Sequence, residues 1–173
     1  MQTLKTIKDE DFGFMKKDSE LVLREAVRAV VVNDKNEIAI LYVRKNNFYK
    51  IPGGGVELGE NHEEALVREV LEEAGCQIEI IRELGEVVEY RTHFNQIQKS
   101  YNYLARVIGD IKEPNFTEDE KADGFERLWM NIDQALDLIR GLVLSNDDQP
   151  DNYMGHFVGD RESTILLEAK KFI

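Results

Sequence analysis

Residues 53–76, GGGVELGENHEEALVREVLEEAGC, decide the fold of this chain because a glycine triplet leads directly into a helix with clear start and stop signals. Three successive glycines end any regular element and let the backbone turn sharply. Asn61 followed three residues later by Glu64 has the form of an N-terminal capping pair, and Gly75 is suited to end a helix. Between them, apolar residues recur at near-helical spacing: Ala65, Leu66, Val70 and Leu71.

Strands are predicted upstream of this stretch. Two runs rich in β-branched residues, 23–32 and 38–43, flank the turn-forming segment 33–36 and predict a β-hairpin. The short run 48–51 predicts a further strand that stops at Pro52. The glycine loop is therefore expected to follow directly from a sheet.

Downstream of the helix, β-branched and aromatic residues predict a return to the sheet. Residues 76–91 and 100–108 predict paired strands, and 125–130 predicts one more. The acidic, turn-rich run 109–124 between them predicts an exposed loop.

The C-terminal part predicts two more helices. Asn131 with Gln134 resembles a second capping pair, and an apolar stripe follows it. A polar loop is expected at 145–160, and Asp160 is expected to cap the last helix. Because no repeat or interdomain linker is evident, the sequence predicts a single α/β domain over residues 1–173.

Composition limits the partners of the chain. Its 173 residues carry a formal net charge of −12, which repels polyphosphate backbones and disfavours extended nucleic-acid binding. The longest apolar runs, such as 29–32, are too short to span a membrane, and 1–14 lacks the apolar core of a signal peptide. The single cysteine, Cys76, cannot form an intramolecular disulfide, so a cytoplasmic protein is expected.

The predicted helix carries an unusual set of charges. Glu69, Glu72 and Glu73 are spaced i, i+3 and i+4, so their carboxylates project from one side and repel one another. Arg68 alone cannot offset three such charges. Hard divalent cations bind oxygen ligands, and Mg²⁺ in particular combines a few carboxylates with phosphate oxygens of a substrate. The glutamate trio therefore predicts a magnesium site beside a phosphate-binding loop.

These residues follow a known pattern. The stretch 54–76, called the box below, resembles the signature of the Nudix hydrolase family, which includes MutT-like enzymes. It matches every fixed letter of G-x5-E-x7-R-E-U-x-E-E-x-G-U. The matching residues are Gly54, Glu60, Arg68, Glu69, Val70, Glu72, Glu73, Gly75 and Cys76. Cys76 stands where an aliphatic residue is usual, but a free cysteine packs as a small hydrophobic residue.

The resemblance implies a fold and a ligand set. The fold would be a Nudix-type α/β/α sandwich, in which a mixed, curved sheet carries the box helix on one face and at least one C-terminal helix on the other. The substrate diphosphate would lie on glycines 53–55. The metal, Mg²⁺ or alternatively Mn²⁺, would be held by four residues: the carbonyl of Gly54 and the carboxylates of Glu69, Glu72 and Glu73.

The resemblance also implies catalytic roles. Glu69 would be a further metal ligand or the general base, while Arg68, together with Glu60, would orient the acidic groups. In some members of the family a carboxylate outside the box takes the proton of the attacking water. Here Glu118 and Glu120 are the available residues, and Glu120 is the catalytic candidate.

The reaction implied is the attack of water on a phosphorus of a nucleoside diphosphate linked to another moiety. The first expectation for the substrate is a nucleoside triphosphate, including oxidised ones, which gives nucleoside monophosphate and pyrophosphate. ADP-ribose or a dinucleotide is the alternative. A Nudix-like module that binds nucleotides without turnover is the non-enzymatic alternative, and the net charge argues against an RNA 5′-end hydrolase. A homodimer is expected from family analogy alone.

Other conspicuous residues are expected to be structural. The histidines His62, His93 and His156 are scattered, so none is assigned to the metal. The aromatic residues are expected to pack in the core or at interfaces more than to stack on a base: Tyr90, Phe94, Tyr101, Tyr103 and Trp129.

Overall fold

The computed structural model describes residues 1–18, 20–145 and 153–173. The described residues form one seven-stranded sheet, whose strands are β1 (Thr3–Lys8), β2 (Val22–Val32), β3 (Ile38–Val43), β4 (Phe48–Lys50), β5 (Gln77–Arg91), β6 (Gln96–Ile108) and β7 (Phe125–Met130). The helices are α1 (His62–Ala74), α2 (Glu118–Ala122), α3 (Ile132–Ser145) and α4 (Tyr153–Ala169).

The sheet is mixed, and its strands lie in the order β1-β5-β6-β2-β3-β4, with β7 paired to the other edge of β3. The pairs β1–β5 and β2–β6 are parallel, and the remaining pairs are antiparallel. Strands β2 and β3 are in register only at Val32 and Ile38, so they diverge directly after the hairpin turn. The glycine loop lies along β2 in the gap that this divergence leaves.

Two hydrophobic cores lie on opposite faces of the sheet. Along β2, Val27, Ala29 and Val31 pack with residues of α1, while Val30 and Val32 pack with α3 and α4. Alternate residues of a strand point to opposite faces, so a central strand covered on both sides must be apolar at successive positions. The sandwich and its mixed sheet were predicted correctly.

Most predicted elements are present within a residue or two of their expected limits. The hairpin of β2 and β3, the capped helix α1 and the long antiparallel pair of β5 and β6 are confirmed. Strand β1 was not predicted from the sequence. Its residues are mostly polar or partly exposed, and only Ile7 is fully buried, so its conformation depends on parallel pairing with β5.

Two predictions for the C-terminal half were wrong. Residues 118–122 of the expected exposed loop form α2, which Thr117 caps. The expected polar loop at 145–160 is also helical from Tyr153 onwards, so Asp160 lies inside α4 and does not cap it. Residues 146–152 of that prediction lie outside the described part of the chain. The segment is helical because Tyr153 and Phe157 pack in the hydrophobic core, which the prediction of a polar loop left out.

No helix in the described ranges combines the length and the apolar character that crossing a membrane requires.

Candidate active site

The glycine loop is fixed to β2 by backbone hydrogen bonds. Val27 N donates to the carbonyl of Gly54 at 2.9 Å, and Ala29 N donates to that of Pro52 at 3.0 Å. Gly53 has φ +141°, and a Cβ there would lie 2.1 Å from the carbonyl oxygen of Val27. Only glycine allows this close approach of the two backbones.

Helix α1 begins at His62, shortly after this loop, because Asn61 and Glu64 form a capping box there. The side chain of Asn61 accepts from Glu64 N at 3.0 Å, and Glu64 accepts from Asn61 N at 2.9 Å. The apolar side of α1 packs on β2, which turns the side that carries the box glutamates towards the loop. A Cβ on Gly54 would lie 2.4 Å from both carboxylate oxygens of Glu69, so that carboxylate lies directly against the loop backbone.

Glu73 is the most deeply buried box carboxylate, with 1% of the residue exposed. Its Oε1 accepts from Lys50 Nζ at 2.6 Å, and its Oε2 accepts from Gly53 N at 2.7 Å. Burial raises the pKa of Glu73 to about 7, although Lys50 and the Gly53 amide act in the opposite direction. Glu73 therefore connects the box helix to the glycine loop and to β4.

Arg68 joins three acidic residues of the box. It donates to both carboxylate oxygens of Glu60, at 2.7 and 2.9 Å, and to Glu69 Oε1 at 2.8 Å. Its Nη1 also lies 3.6 Å from Glu72. The hydrogen bonds from Arg68 lower the pKa of Glu60 to about 2. Arg68 is thus placed where it can hold the acidic groups in fixed positions.

Glu72 lies in a region of concentrated negative charge. Its pKa is raised first by burial, while Arg68 lowers it, and it is raised further by Glu69, Glu120 and Glu57. Such mutual repulsion is relieved when a cation binds between the carboxylates.

In the described part of the chain, no three His, Cys, Asp or Glu side chains converge at metal-binding distances. The reason is that the box glutamates contact protein cations: Glu73 pairs with Lys50, and Glu69 and Glu72 with Arg68. The donor atoms nevertheless fit a hard ion, since all are oxygens, and only glycine at position 54 leaves room for the Glu69 carboxylate. These residues fit Mg²⁺ or Mn²⁺ provided that some of the ion pairs open.

The carbonyl predicted as a metal ligand, that of Gly54, accepts the hydrogen bond from Val27 N and is directed at β2. The neighbouring carbonyl of Gly53 lies instead 3.1 Å from Lys50 Nζ, beside the Glu73 carboxylate. Gly53 is therefore better placed than Gly54 to offer a backbone oxygen to an ion.

The two acidic candidates outside the box occupy different environments. A loop that hydrogen-bonds to the C-terminal end of α1 precedes α2, since Asn115 N donates to the carbonyl of Glu72 at 2.8 Å. On α2, Glu120 is close enough to raise the pKa of Glu72, and its carboxylate accepts from Thr117 N at 2.7 Å. The side chain of Glu118 is 91% exposed and pairs with Lys121. The structure therefore brings Glu120, and not Glu118, towards the box.

A basic cleft next to the box was missed in the sequence. It has a volume of about 540 Å³. It lies between α4 and the sheet, at the gap between β2 and β4. The residues that line it are Arg24, Arg28, Phe48, Lys50, Arg91, Phe94, Gln96, Gln98, Phe125, Met154, Val158 and Arg161. Lys50 belongs both to this cleft and to the Glu73 pair, so the cleft opens directly onto the box.

A sequence signal for this cleft was present. Arg24 and Arg28 interrupt the apolar pattern of β2. They are four residues apart, so they lie on the same face of the strand as Val30 and Val32. Charged residues at inward-facing positions of a strand are costly unless they are paired, so their presence can indicate a functional site. Their partners, Arg91 and Arg161, come from distant segments, so the sequence alone could not group them.

The remaining conspicuous residues have varied surroundings. His62 contacts Tyr101 at 3.9 Å between ring centroids, and His93 stacks on Tyr153 at 4.6 Å. His156 lies 5.2 Å from the ring of Phe12. Phe94 lines the basic cleft and is 56% exposed, whereas Trp129 packs against the α1 core.

Comparison with known proteins places residues 22–149 within the NUDIX domain family model. The chain is 29% identical over 118 residues to "Nudix hydrolase 18, mitochondrial" of Arabidopsis thaliana, covering 63% of this chain and 59% of the relative. It is 26% identical to "RNA pyrophosphohydrolase" of Pelagibacter ubique over 69% of this chain and 83% of the relative. It is 43% identical to "ADP-ribose pyrophosphatase" of Methanocaldococcus jannaschii, over only 41% of this chain and 42% of the relative.

Among solved structures, the fold resembles the MutT protein from Methanosarcina mazei Go1, with a TM-score of 0.54 and 22% identity. The match covers 83% of this chain and 96% of that protein. This likeness concerns the fold, and for two of the three relatives the matched region spans less than two thirds of their length.

Proposed function

We propose a metal-dependent pyrophosphohydrolase function for this chain, which belongs to the NUDIX domain family. The substrate would be a nucleoside diphosphate linked to another moiety. The observation that carries the proposal is the position of Lys50, which pairs with the buried box residue Glu73 and also lines the basic cleft. An acidic metal-binding helix and a basic cleft that meet at one residue are suited to a diphosphate with an ion bound to it.

We assign the metal to the carboxylates of Glu69, Glu72 and Glu73 and to the carbonyl of Gly53. Bound Mg²⁺ or Mn²⁺ would neutralise the diphosphate and lower the pKa of the attacking water. The Glu73 carboxylate is held in place by the Gly53 amide, while Arg68 and Glu60 hold Glu69 and Glu72. The contact of Glu73 with the Gly53 amide is kept when an ion binds and needs little reorganisation, whereas the pairs of Arg68 with Glu69 and Glu72 open to admit the ion.

The proton of the attacking water requires a carboxylate acceptor. Glu69 belongs to the box and lies against the glycine loop, whereas Glu120 lies outside the box and approaches Glu72 from α2. We retain both, and exclude Glu118 because its side chain is directed to solvent. A general base contributes about 10²–10⁴-fold to the rate, which makes the assignment measurable.

For the substrate itself, we propose a nucleoside triphosphate, including oxidised ones, that yields nucleoside monophosphate and pyrophosphate. ADP-ribose or a dinucleotide is the alternative, and one relative carries the name of an ADP-ribose pyrophosphatase. Another relative is named as an RNA pyrophosphohydrolase. The net charge of −12 disfavours a long transcript here, because a transcript body needs a basic track. We also propose a cytoplasmic location, in keeping with one buried free cysteine.

The test is a substrate panel assayed with Mg²⁺ and with Mn²⁺. It contains ordinary and oxidised nucleoside triphosphates, ADP-ribose, dinucleotides and a 5′-triphosphorylated RNA, and the readout is the release of phosphate, pyrophosphate or nucleoside monophosphate. Turnover of a nucleoside triphosphate at the highest kcat/KM is the expected result. Faster turnover of the RNA would overturn the assignment of a small substrate.

Variants connect any turnover to the box. Glu72→Gln and Glu73→Gln should each lower kcat by about 10²-fold or more while the fold is kept. Glu63→Gln is a matched control, because Glu63 lies on the same helix, is exposed and makes none of the box contacts described above. If wild-type protein binds nucleotides but turns over no member of the panel, the chain is a binding module and not an enzyme.

A further inference from the structure

We infer that the basic cleft contains an anion site, formed by Arg24, Arg28 and Arg91, which takes a phosphate group of the substrate other than the scissile diphosphate. That the bound phosphate belongs to a substrate rests on the proposed function. The affinity for an anion, however, is a property of the arginine side chains and can be measured without catalysis.

The cleft contains more cationic than anionic groups. Among the described residues, four arginines line the cleft: Arg24, Arg28, Arg91 and Arg161. Two carboxylates form ion pairs with members of this group, those of Glu89 and Glu162. Both carboxylates are already paired, Glu89 with Arg91 and Arg161, and Glu162 with Arg161. No carboxylate in the described ranges forms an ion pair with Arg24 or Arg28. The carboxylates that attract them, Glu69 and Glu89 for Arg24 and Glu89 and Glu162 for Arg28, are each paired with another arginine.

Arg28 is a buried cation whose hydrogen bonding is incomplete. Arg28 is only 5% exposed, its Nη1 donates to the carbonyl of Gly53 over a long 3.4 Å, and its Nε has no hydrogen-bond partner within the described structure. Proteins rarely bury a guanidinium group without an anion, because its desolvation is not repaid. A phosphate bound in the cleft, which Arg28 lines, would supply the missing negative charge.

Two like charges, those of Arg24 and Arg91, lie close together in the cleft. The Oε1 atom of Gln98 accepts from Arg24 at 2.7 Å and from Arg91 at 3.1 Å, so one neutral oxygen holds two guanidinium groups together. The Nε atom of Arg91 is also buried without a partner in the described ranges. The pKa of Arg24, of Arg28 and of Arg91 is lowered, mainly by burial and also by Arg161, although all three remain cationic at neutral pH.

The position of the arginines identifies which phosphate they take. The glycine loop separates them from the box, since Glu69 lies against Gly54 while a Cβ on Gly55 would lie 3.1 Å from Arg24 Nη2. A diphosphate neutralised by metal beside the glutamates leaves the arginines on the other side of the loop unpaired. Arginine binds phosphate oxygens through two parallel hydrogen bonds. The substrate class is therefore a nucleotide with at least one phosphate beyond the scissile pair, which favours a nucleoside triphosphate over ADP-ribose.

The experiment measures anion binding in the absence of metal. Inorganic phosphate and tripolyphosphate are titrated into the full chain in EDTA by calorimetry, at low ionic strength. Wild-type protein should bind tripolyphosphate, and Arg24→Gln should weaken that binding by about tenfold or more, as expected for the loss of a charge-assisted contact. Arg106→Gln is the control, because Arg106 is exposed on β6 and does not line the cleft, and it should bind as the wild type does.

Two results would overturn the inference: no binding of either anion to the wild type, or equal binding to the wild type and Arg24→Gln. Arg24 lies at the open mouth of the cleft, so its substitution leaves the fold intact even if Arg28→Gln does not fold. Failure of the proposed function gives a different outcome. Metal-free binding without turnover of any panel member refutes the enzyme and keeps the anion site, whereas turnover without metal-free binding does the opposite.

Discussion

The ammonium group of Lys50 lies 2.6 Å from the Oε1 atom of Glu73, and the two side chains are only 14% and 2% exposed. This pair joins the box helix to β4 and fixes the carboxylate that also receives the Gly53 amide. A buried pair costs free energy to desolvate, but the loss of one partner costs more because the other is left buried and uncompensated.

Replacement of Lys50 by methionine should therefore lower the free energy of unfolding by about 3–5 kcal/mol. It should also raise the pKa of Glu73, which loses the cation that favours its charged form. The measurement is chemical denaturation. Lys45→Met is the matched control, since the Lys45–Asp123 pair has the same 2.6 Å separation but a 63% exposed lysine, and it should change stability little. Equal effects from the two variants would show that burial of the Lys50 pair is unimportant.

Alanine at Gly53 should lower stability, whereas alanine at Gly54 should lower the catalytic rate. At Gly53 the new Cβ meets the backbone oxygen of Val27, and φ is +141°, so stability should fall by at least roughly 1–3 kcal/mol. At Gly54 the nearest atoms to the new Cβ belong to the Glu69 carboxylate, which is the end of a flexible side chain and can move. Gly54→Ala should thus keep the fold and lose about 10²-fold in kcat, as a misplaced catalytic group does. A wild-type rate for Gly54→Ala would contradict a role for Glu69.

Glutamine at Glu120 and at Glu118 tests the base outside the box. Glutamine keeps the capping contact that Glu120 makes with Thr117, so α2 should remain folded. If Glu120 takes the proton of the attacking water, Glu120→Gln should lower kcat by about 10²–10⁴-fold while Glu118→Gln leaves it unchanged. Steady-state kinetics on the best panel substrate gives the answer, and unchanged kcat in both variants would leave Glu69 as the base.

The thiol of Cys76 should be unreactive in the folded protein. It is 1% exposed, and burial raises its pKa to about 11 from an ordinary value of 9.0. Because only the thiolate reacts, alkylation by iodoacetamide at pH 8 should be far slower in the native chain than in urea, as followed by mass spectrometry. Above pH 9 the unfolded thiol ionises before the folded one, so the Cys76 contribution to stability decreases as pH rises from about 9 to 11. Equally fast alkylation of native and unfolded chains would exclude a buried thiol.

The sequence by itself determined what depends on local spacing. Glu69, Glu72 and Glu73 share one side of α1 because a helix repeats every 3.6 residues, and Asn61 and Gly75 mark its ends through capping groups a few residues apart. The strand pattern predicted the sheet, and the two covered faces of β2 follow from its apolar run at 29–32. Each of these features is encoded within one short segment of the chain.

Only the tertiary structure decided how distant segments combine. It directed the Gly54 carbonyl to β2 and the Gly53 carbonyl to the site, and it brought Glu120 towards Glu72. It also made a helix of 153–160, which had been predicted as a polar loop, buried Arg161 and Glu162 on that helix, and grouped arginines from β2, β5 and α4 in one cleft. Whether a polar side chain faces solvent or a buried partner depends on what packs against it, and that partner lies many residues away in the chain.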